Sequence, residues 1–242
     1  AFNSRHLPFD SSEAGRLARL AVSAAAPNDQ IMQAAVGGPE FWTECYLVVH
    51  CGTPWSSVAG QEVQDDLIKT KTGNLAKARE LLDQAEALSP GLKDLPVRII
   101  AASDMPFMPE AGLVMWEAIK DAGFTNVELV SVDWASRVAL TGSEGPWEVA
   151  TTWSNFANGL NPLAPHMPSS PNNNGWVEPK VTELRSQFLV ETDPVKLQQI
   201  YDDLNRAINN NPLQLNHFMF SPPRGIRADV KGFCIDCLFP IL

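Results

Sequence analysis

The sequence predicts an α/β fold, a mixed β-sheet flanked by helices. "VRIIAA" and "VELVSV" are short apolar, β-branched runs on either side of an amphipathic stretch, the pattern of a βαβ unit. A third strand-like run, Trp147 to Thr152, follows one further helical segment. Two late helical patterns then give way to "LQLNHFMF" and "IRADVKGFC", which read as strands and make the sheet mixed.

Taken in order, Ser11 to Ala26 reads as a helix with Ser at its cap and Leu17, Leu20, Ala21 and Ala24 on one face. Pro27 breaks it, Asn28 or Asp29 recaps, and Ile31 to Val36 forms a short helix closed by Gly37-Gly38. Pro39 to Gly60 is irregular, aromatic and turn-rich. Asn74 caps "LAKARELLDQAEAL", where Leu75, Ala78, Leu82 and Ala85 stack at helical spacing before Ser89-Pro90-Gly91 stops the helix. In the βαβ unit, the strands are Val97–Ala102 and Val127–Val132, and the helix is Pro109–Ala122. Such strands are parallel, with a right-handed crossover. Trp116 falls at helical spacing with Leu113 and Ile119 and is expected in the core. Asp133 caps "WASRVAL"; Pro179–Val190 and Pro194–Asn209 are the late helices, the second with Thr192 or Asp193 as cap and Pro in its first turn.

The 242 residues suffice to bury a sizeable core, and 45% hydrophobic with 19% charged residues is ordinary for a globular protein. A net charge of -10 argues against a nucleic-acid partner, whose phosphates attract the opposite sign. No apolar run approaches a membrane span, and Ala1 to Asp10 has neither the charged nor the apolar region of a signal peptide. The chain is therefore expected to be cytosolic, a mature secreted form or a fragment.

Four cysteines fall in two close pairs, Cys45 with Cys51 and Cys234 with Cys237. The pattern fits disulfides and an oxidising compartment. A four-thiolate zinc site is the competing reading, although "CYLVVHC" is wide for a zinc knuckle. A third takes "CIDC" as a redox motif, although such motifs open a helix and this stretch looks extended. Cys45–Cys51 would staple a region that lacks a helix or strand pattern. A bridge across the two residues between Cys234 and Cys237 is easily strained.

"LPFDSSEAGRLARLAV", "QIMQAAVGGPEFWTECYLVVHCGTPWSSVAG", "NLAKARELLDQA", "LVMWEAIKDAGFTNVELVSVDW" and "TDPVKLQQIYDDLNRAINNNP" resemble, in order, segments of the C-terminal lobe of the family 5 extracellular solute-binding proteins, the dipeptide-, oligopeptide- and nickel-type receptors of ABC importers. "LPFDSSEAGRLARLAV" resembles the "PPF-x-(4)-R-x-A" start of that lobe, and "QIMQAAVGGPEFWTECYLVVHCGTPWSSVAG" is similar to a segment of one branch, with its Cys pair. "NLAKARELLDQA" resembles the "D-x-x-KAK-x-LL-x-EA" helix, and "LVMWEAIKDAGFTNVELVSVDW" the "L-x-x-AGF-x-V-x-L-x-x-x-DW" unit. "TDPVKLQQIYDDLNRAINNNP" resembles "D-x-x-K-x-x-x-Y-x-x-x-Q-x-x-x-x-x-x-P". The resemblance implies a periplasmic-binding-protein-like (type II) lobe over residues 1–242, with the N-terminal lobe outside this chain. It implies a periplasmic or extracytoplasmic substrate-binding component that grips a peptide or other small polar solute and delivers it to a membrane permease. It also implies that Ser4–Phe9 and Ile226–Phe233 approach each other at the hinge.

"WEVATTWSNFANGLNP" occupies the place of the family's "YD-x-x-x-x-GW" strand, which ends at the cleft with its Trp towards ligand. Trp153 would offer a flat apolar face and one donor, Asn155 and Asn158 amide donors and acceptors, and Phe156 a wall. Read without the resemblance, a Trp at a strand end plugs a core and Asn-Gly makes a turn. Trp55 either borders the cleft or packs beneath its loop, and His166 either contacts ligand or sits on a surface loop. His166 has no second metal ligand at a suitable spacing. Peptide-binding members carry an Asp a few residues after this Trp for the peptide ammonium, and Trp153 to Pro162 contains no acid. A buried ammonium without a countercharge is costly, so a neutral polar ligand, a sugar or an N-blocked peptide gains weight.

A small α/β hydrolase-like enzyme using Asp133, His166 or His217 is the alternative, and a fold-retaining interaction or chaperone domain a third. No Gly-x-Ser-x-Gly elbow, His-Glu-x-x-His or phosphate loop supports enzyme chemistry, and no cofactor is implied.

Overall fold

The computed structural model describes residues 1–47, 51, 62, 72–142, 145–152, 165–170, 172–215, 218–220 and 229. Ser12 caps α1 (Glu13–Ala25), its hydroxyl accepting the Gly15 amide at 3.1 Å. Leu17, Leu20, Val22 and a run of alanines on α1 are buried. The small residues let α2 (Asn28–Val36) follow at once and let α3 (Leu75–Leu88) pack along α1 through Ala78, Leu82 and Ala85. Asn74 caps α3 as the sequence predicts, accepting the Lys77 amide at 3.1 Å. Just before it, Gly73 takes φ +79° directly under α1, where a Cβ would stand 2.7 Å from the Ala25 carbonyl oxygen. Only glycine fits that crossing. The expected Asn or Asp cap of α2 does not form. Pro27 holds the cap position, and the fully buried Asn28 turns its amide inward, 3.5 Å from the Tyr46 hydroxyl.

The region expected to be irregular after Pro39 contains a 3-10 turn, Pro39–Phe41, and the strand β1 (Trp42–Glu44). Its order comes from far along the chain, because β1 pairs antiparallel with Phe218–Phe220, Trp42 opposite Phe220. The strand expected from Leu213 onward is limited, among the described residues, to those three positions; Leu213 instead accepts the Phe2 amide at 2.9 Å. Cys45 and Cys51 form the expected disulfide, with Cα atoms 5.7 Å apart. Closing so short a loop stabilises by about 2 kcal/mol in the chain-entropy model. Thiol titration of the denatured, unreduced protein should therefore leave both cysteines unreactive, and the Cys45→Ala/Cys51→Ala variant should melt several degrees lower; an unchanged melting temperature would show that the staple contributes nothing. Cys234 and Cys237 lie outside the described residues, as does Ile226–Phe233 apart from Asp229, so their pairing and the hinge proximity remain expectations from sequence.

The βαβ unit forms as predicted. β2 (Val97–Ala102) runs parallel to β3 (Val127–Val132) in the register Val97 to Val127 through Ala102 to Val132. The connecting helix α4 (Met108–Ala122) starts one residue early, after Phe107 at φ +64°. It packs closely on the sheet at Gly112, where a Cβ would lie 3.0 Å from the Ala101 Cβ. Trp116 is part-buried against the main core, its indole N–H donating to the Val127 carbonyl at 3.0 Å. Leu113, expected beside it, is 51% exposed, since its position on α4 turns away from the strands. After β3 come α5 (Trp134–Gly142) and β4 (Val149–Ala150), giving the order β3-β2-β4, all parallel. The predicted third strand is thus two residues long by pairing. Its ladder bonds reach one position further on each side, from the Glu148 amide to the Arg98 carbonyl and from the Thr151 amide to the Ile100 carbonyl. Phe2 bridges Val149 in the antiparallel sense on the other flank as an isolated pair. The late strand Phe218–Phe220, expected to make this sheet mixed, forms a separate two-stranded antiparallel sheet with β1.

A second core sits under the helices α6 (Pro179–Phe188) and α7 (Pro194–Asn210), where Trp176, Val181, Leu184, Leu204, Ile208 and Leu213 pack together. Asp193 caps α7, accepting the Val195 and Lys196 amides at 2.8 and 3.1 Å. Among the described residues, no helix is long and apolar enough to cross a membrane.

Candidate functional site

Parallel α/β sheets bind ligands at the carboxyl ends of their strands, where helix starts and loops converge. Here that edge is formed by Ser103 and Asp104 after β2, Asp133 after β3, and Thr151 and Thr152 after β4. Ser103 closes the β2–β3 ladder, its amide and hydroxyl both donating to the Val132 carbonyl at 2.7 and 3.1 Å. Asp104 accepts the Trp134 amide at 2.8 Å. Asp133 caps α5 as expected, accepting the Ser136 amide at 2.9 Å and its hydroxyl at 2.7 Å. These donors hold the exposed Asp133 carboxyl below the usual carboxylate range. Both acids of this edge therefore serve the first turn of α5.

Arg137, one turn further along α5, is 9% exposed and donates through Nε and Nη2 to the Thr151 carbonyl at 3.2 and 2.7 Å. Its guanidinium also lies 5.1 Å from the Trp134 ring centre. The bonds fix the direction in which the chain leaves β4. Burial pushes the Arg137 guanidinium below its ordinary range.

The other end of β4 is fixed by Glu148, whose side chain is 2% exposed. Arg98 on β2 grips it with Nε to Oε2 at 2.9 Å, Nη2 to Oε1 at 2.6 Å and the backbone amide to Oε2 at 2.7 Å. His6 Nε2 stands 3.3 Å from the same Oε1. The pairing holds the Arg98 guanidinium above its ordinary range. Asn3 adds a side-chain bond to the Trp147 carbonyl at 2.9 Å.

Of the residues singled out by sequence, Trp55, Trp153, Asn155, Phe156, Asn158 and His217 lie outside the described residues. The structure describes the platform two residues before Trp153, and His166. His166 is buried at 1% exposure, edge-on to Trp176 with ring centres 5.2 Å apart. It is not the surface-loop residue of the bland sequence reading, because the Trp176 indole and the second core enclose it. Arg137 and the Arg98–Glu148 pair were not singled out. Asp133 and Arg137 are spaced i,i+4, which in sequence suggests a helix-surface ion pair and masks the buried role of the arginine.

An open groove of about 550 Å³ runs along α7 between Pro194, Val195, Gln198, Gln199, Asp202 and Arg206, sharing no residue with the sheet edge. No group of three potential metal ligands occurs among the described residues.

The architecture is shared with solved structures. The ABC transporter substrate-binding protein CtaP of Listeria monocytogenes superposes with a TM-score of 0.71 at 17% identity, covering 90% of this chain and 43% of its own. The fold is that of one part of an ABC-transporter substrate-binding protein. A mannohexaose-bound periplasmic oligopeptide-binding protein of Thermotoga maritima shows the same substrate-binding-protein fold, with a TM-score of 0.69, 16% identity and coverage of 90% of this chain and 42% of its own. A peptide ABC transporter's peptide-binding protein matches at a TM-score of 0.69 and 14% identity, over 90% of this chain and 96% of its own. This chain thus spans less than half of the first two structures and nearly all of the third. No protein-family model and no curated protein matches the sequence. These neighbours are substrate-binding proteins rather than enzymes.

Proposed function

We propose that this chain is the C-terminal, solute-gripping lobe of the substrate-binding component of an ABC importer. It closes with an N-terminal lobe on a peptide or other small polar solute outside the cytoplasm and hands the solute to a membrane permease, without chemistry of its own. The observation that carries this reading is the superposition on substrate-binding proteins across 90% of the chain. The sheet edge after β4 supports it, since Thr151 leads within two residues to Trp153 and onward to Asn155, Phe156 and Asn158. Trp153 supplies an apolar face and the amides supply neutral donors and acceptors. The lack of an acid between Trp153 and Pro162 favours a solute without a free ammonium.

Closure of two lobes buries most of a ligand, roughly 70–90% of its surface. One lobe alone leaves a face of the solute in water while the cost of immobilising it remains. The two-lobed protein, purified natively and analysed by mass spectrometry for retained solute, supplies the ligand for calorimetry. It should bind at least about 100-fold more tightly than the 242-residue chain, and Trp153→Ala should weaken it. Equal affinity for both chains would place the whole site within this one and end the half-clamp reading.

A further inference from the structure

We propose that the Cys45–Cys51 disulfide is a thiol-exchange site with a fixed direction, in which Cys51 takes up a small thiol and Cys45 is released as the thiolate. The inference is independent of the solute-binding reading.

The first support is access. In thiol–disulfide exchange the rate depends on which sulfur an incoming thiolate can reach. Cys45 is 4% exposed and is followed by the buried Tyr46 and Leu47, whereas Cys51 is only part-buried. The two ends of the bridge are unequal, and Cys51 is the end open to attack.

The second support is the leaving group. Burial alone makes a poor thiolate, because it takes the charge out of water. Here the Cys51 backbone amide donates to the Cys45 sulfur at 3.1 Å. The sulfur that leaves already carries a donor suited to the negative charge it acquires. That donor is a backbone group, and attack on the Cys51 side chain does not remove it. Glu44, the acid next to Cys45 in sequence, is engaged by the Tyr46 hydroxyl at 3.3 Å.

The third support is what the bridge is tied to. Cys45 directly follows β1, and the Tyr46 carbonyl beside it accepts the Asn209 side-chain amide of α7 at 2.9 Å. The Asn28 amide of α2 lies 3.5 Å from the Tyr46 hydroxyl. Opening the bridge leaves these contacts to hold the chain after β1, so its redox state acts on the corner where β1, α2 and α7 meet.

The chemistry balances as two exchanges. The thiolate of the small thiol forms a new S–S bond to Cys51 Sγ, the Cys45–Cys51 bond breaks, and its electron pair goes to Cys45 Sγ, which takes a proton from water. A second molecule of the same thiol then attacks the small-thiol sulfur of the mixed disulfide. Cys51 leaves as a thiol, and the small thiol is released as its own disulfide.

Glutathione is the probe. The oxidised 242-residue chain is incubated with glutathione at mildly alkaline pH and quenched with excess N-ethylmaleimide. Peptide mass spectrometry should find glutathione on Cys51 with maleimide on Cys45, and the opposite pattern at least about tenfold rarer. In the urea-unfolded chain the difference in burial is gone, and the two patterns should approach equality. Equal patterns in the folded chain, or a preference for Cys45, overturn the proposal. So does a bridge that stays closed in the folded chain under conditions that open it in urea, which would make it a staple alone. None of these outcomes bears on solute retention by the two-lobed protein.

Discussion

Arg98→Met should destabilise the protein by about 3 kcal/mol, the lower end of what stranding a buried ion costs. Arg98 itself is partly exposed, so the expectation does not come from its own burial. It comes from Glu148, which keeps 2% exposure and loses two of the four contacts that satisfy its oxygens. The Arg98 backbone amide and His6 remain, which keeps the loss from being larger. Glu148→Gln in the same background removes the stranded charge at nearly constant shape. The double variant should therefore be more stable than the sum of the single effects by at least about 1 kcal/mol in denaturant titrations. Strict additivity would show that the pair contributes no specific interaction.

The consequence of this pair reaches the sheet edge. β4 is two residues long by pairing and is fastened at one end by Glu148 and at the other by Arg137 on the Thr151 carbonyl. Between them, Val149 and Ala150 pair with β2 on one flank, and the Phe2 bridge holds the other. A strand so short has little cohesion of its own. Two arginine contacts, one from the partly exposed Arg98 and one from the buried Arg137, hold it in place at both ends.

The parts of this fold that were legible in the sequence are those whose signal is local. Asn74, Ser12 and Asp193 cap their helices where the residue types say they should, and both strands of the βαβ unit begin and end at the predicted residues. What was not legible depends on distant partners. β1 owes its strand conformation to Phe218–Phe220, and three residues carry no readable period. Asn28 is a buried donor to Tyr46 rather than a cap, a fact set by tertiary contact. His166 looks like a polar loop residue until the Trp176 ring is placed against it. The expected cleft-facing role of Trp153, Asn155, Phe156 and Asn158 came from a resemblance and from the end of a strand pattern, and these residues lie outside the described ones. Arg137 was hidden because an acid four residues earlier offered a surface explanation.

Arg19→Ala should destabilise by about 3–5 kcal/mol and, more specifically, uncouple the two cores. Arg19 leaves α1 fully buried and donates to the carbonyls of Phe9 and Asp10 and to the side-chain oxygen of Asn211. Burial pushes its guanidinium down to about 10, so the desolvation is not fully offset, and only these acceptors and nearby Asp10 make the position tolerable. Asn211 is the other half of the joint. It donates to the Val177 carbonyl and to Glu178 at 3.3 and 3.1 Å, while its own carbonyl accepts the Trp176 indole at 2.9 Å. The α1 core and the α6–α7 core thus meet through this buried arginine and asparagine, beside the Phe2 amide bond to the Leu213 carbonyl and the more exposed Arg16 bond to the Asn210 carbonyl. Truncation strands three oxygens and opens a cavity at that joint. Hydrogen exchange should report it as faster opening of 179–210, by at least about tenfold more than in 97–132, because the second core loses its buried tie to α1 while the βαβ unit keeps its own packing. Arg19→Lys retains the charge but not the fork, and should fall between the two. Uniform acceleration across both regions would mean that the cores unfold as one unit and that Arg19 contributes to general stability rather than to their coupling.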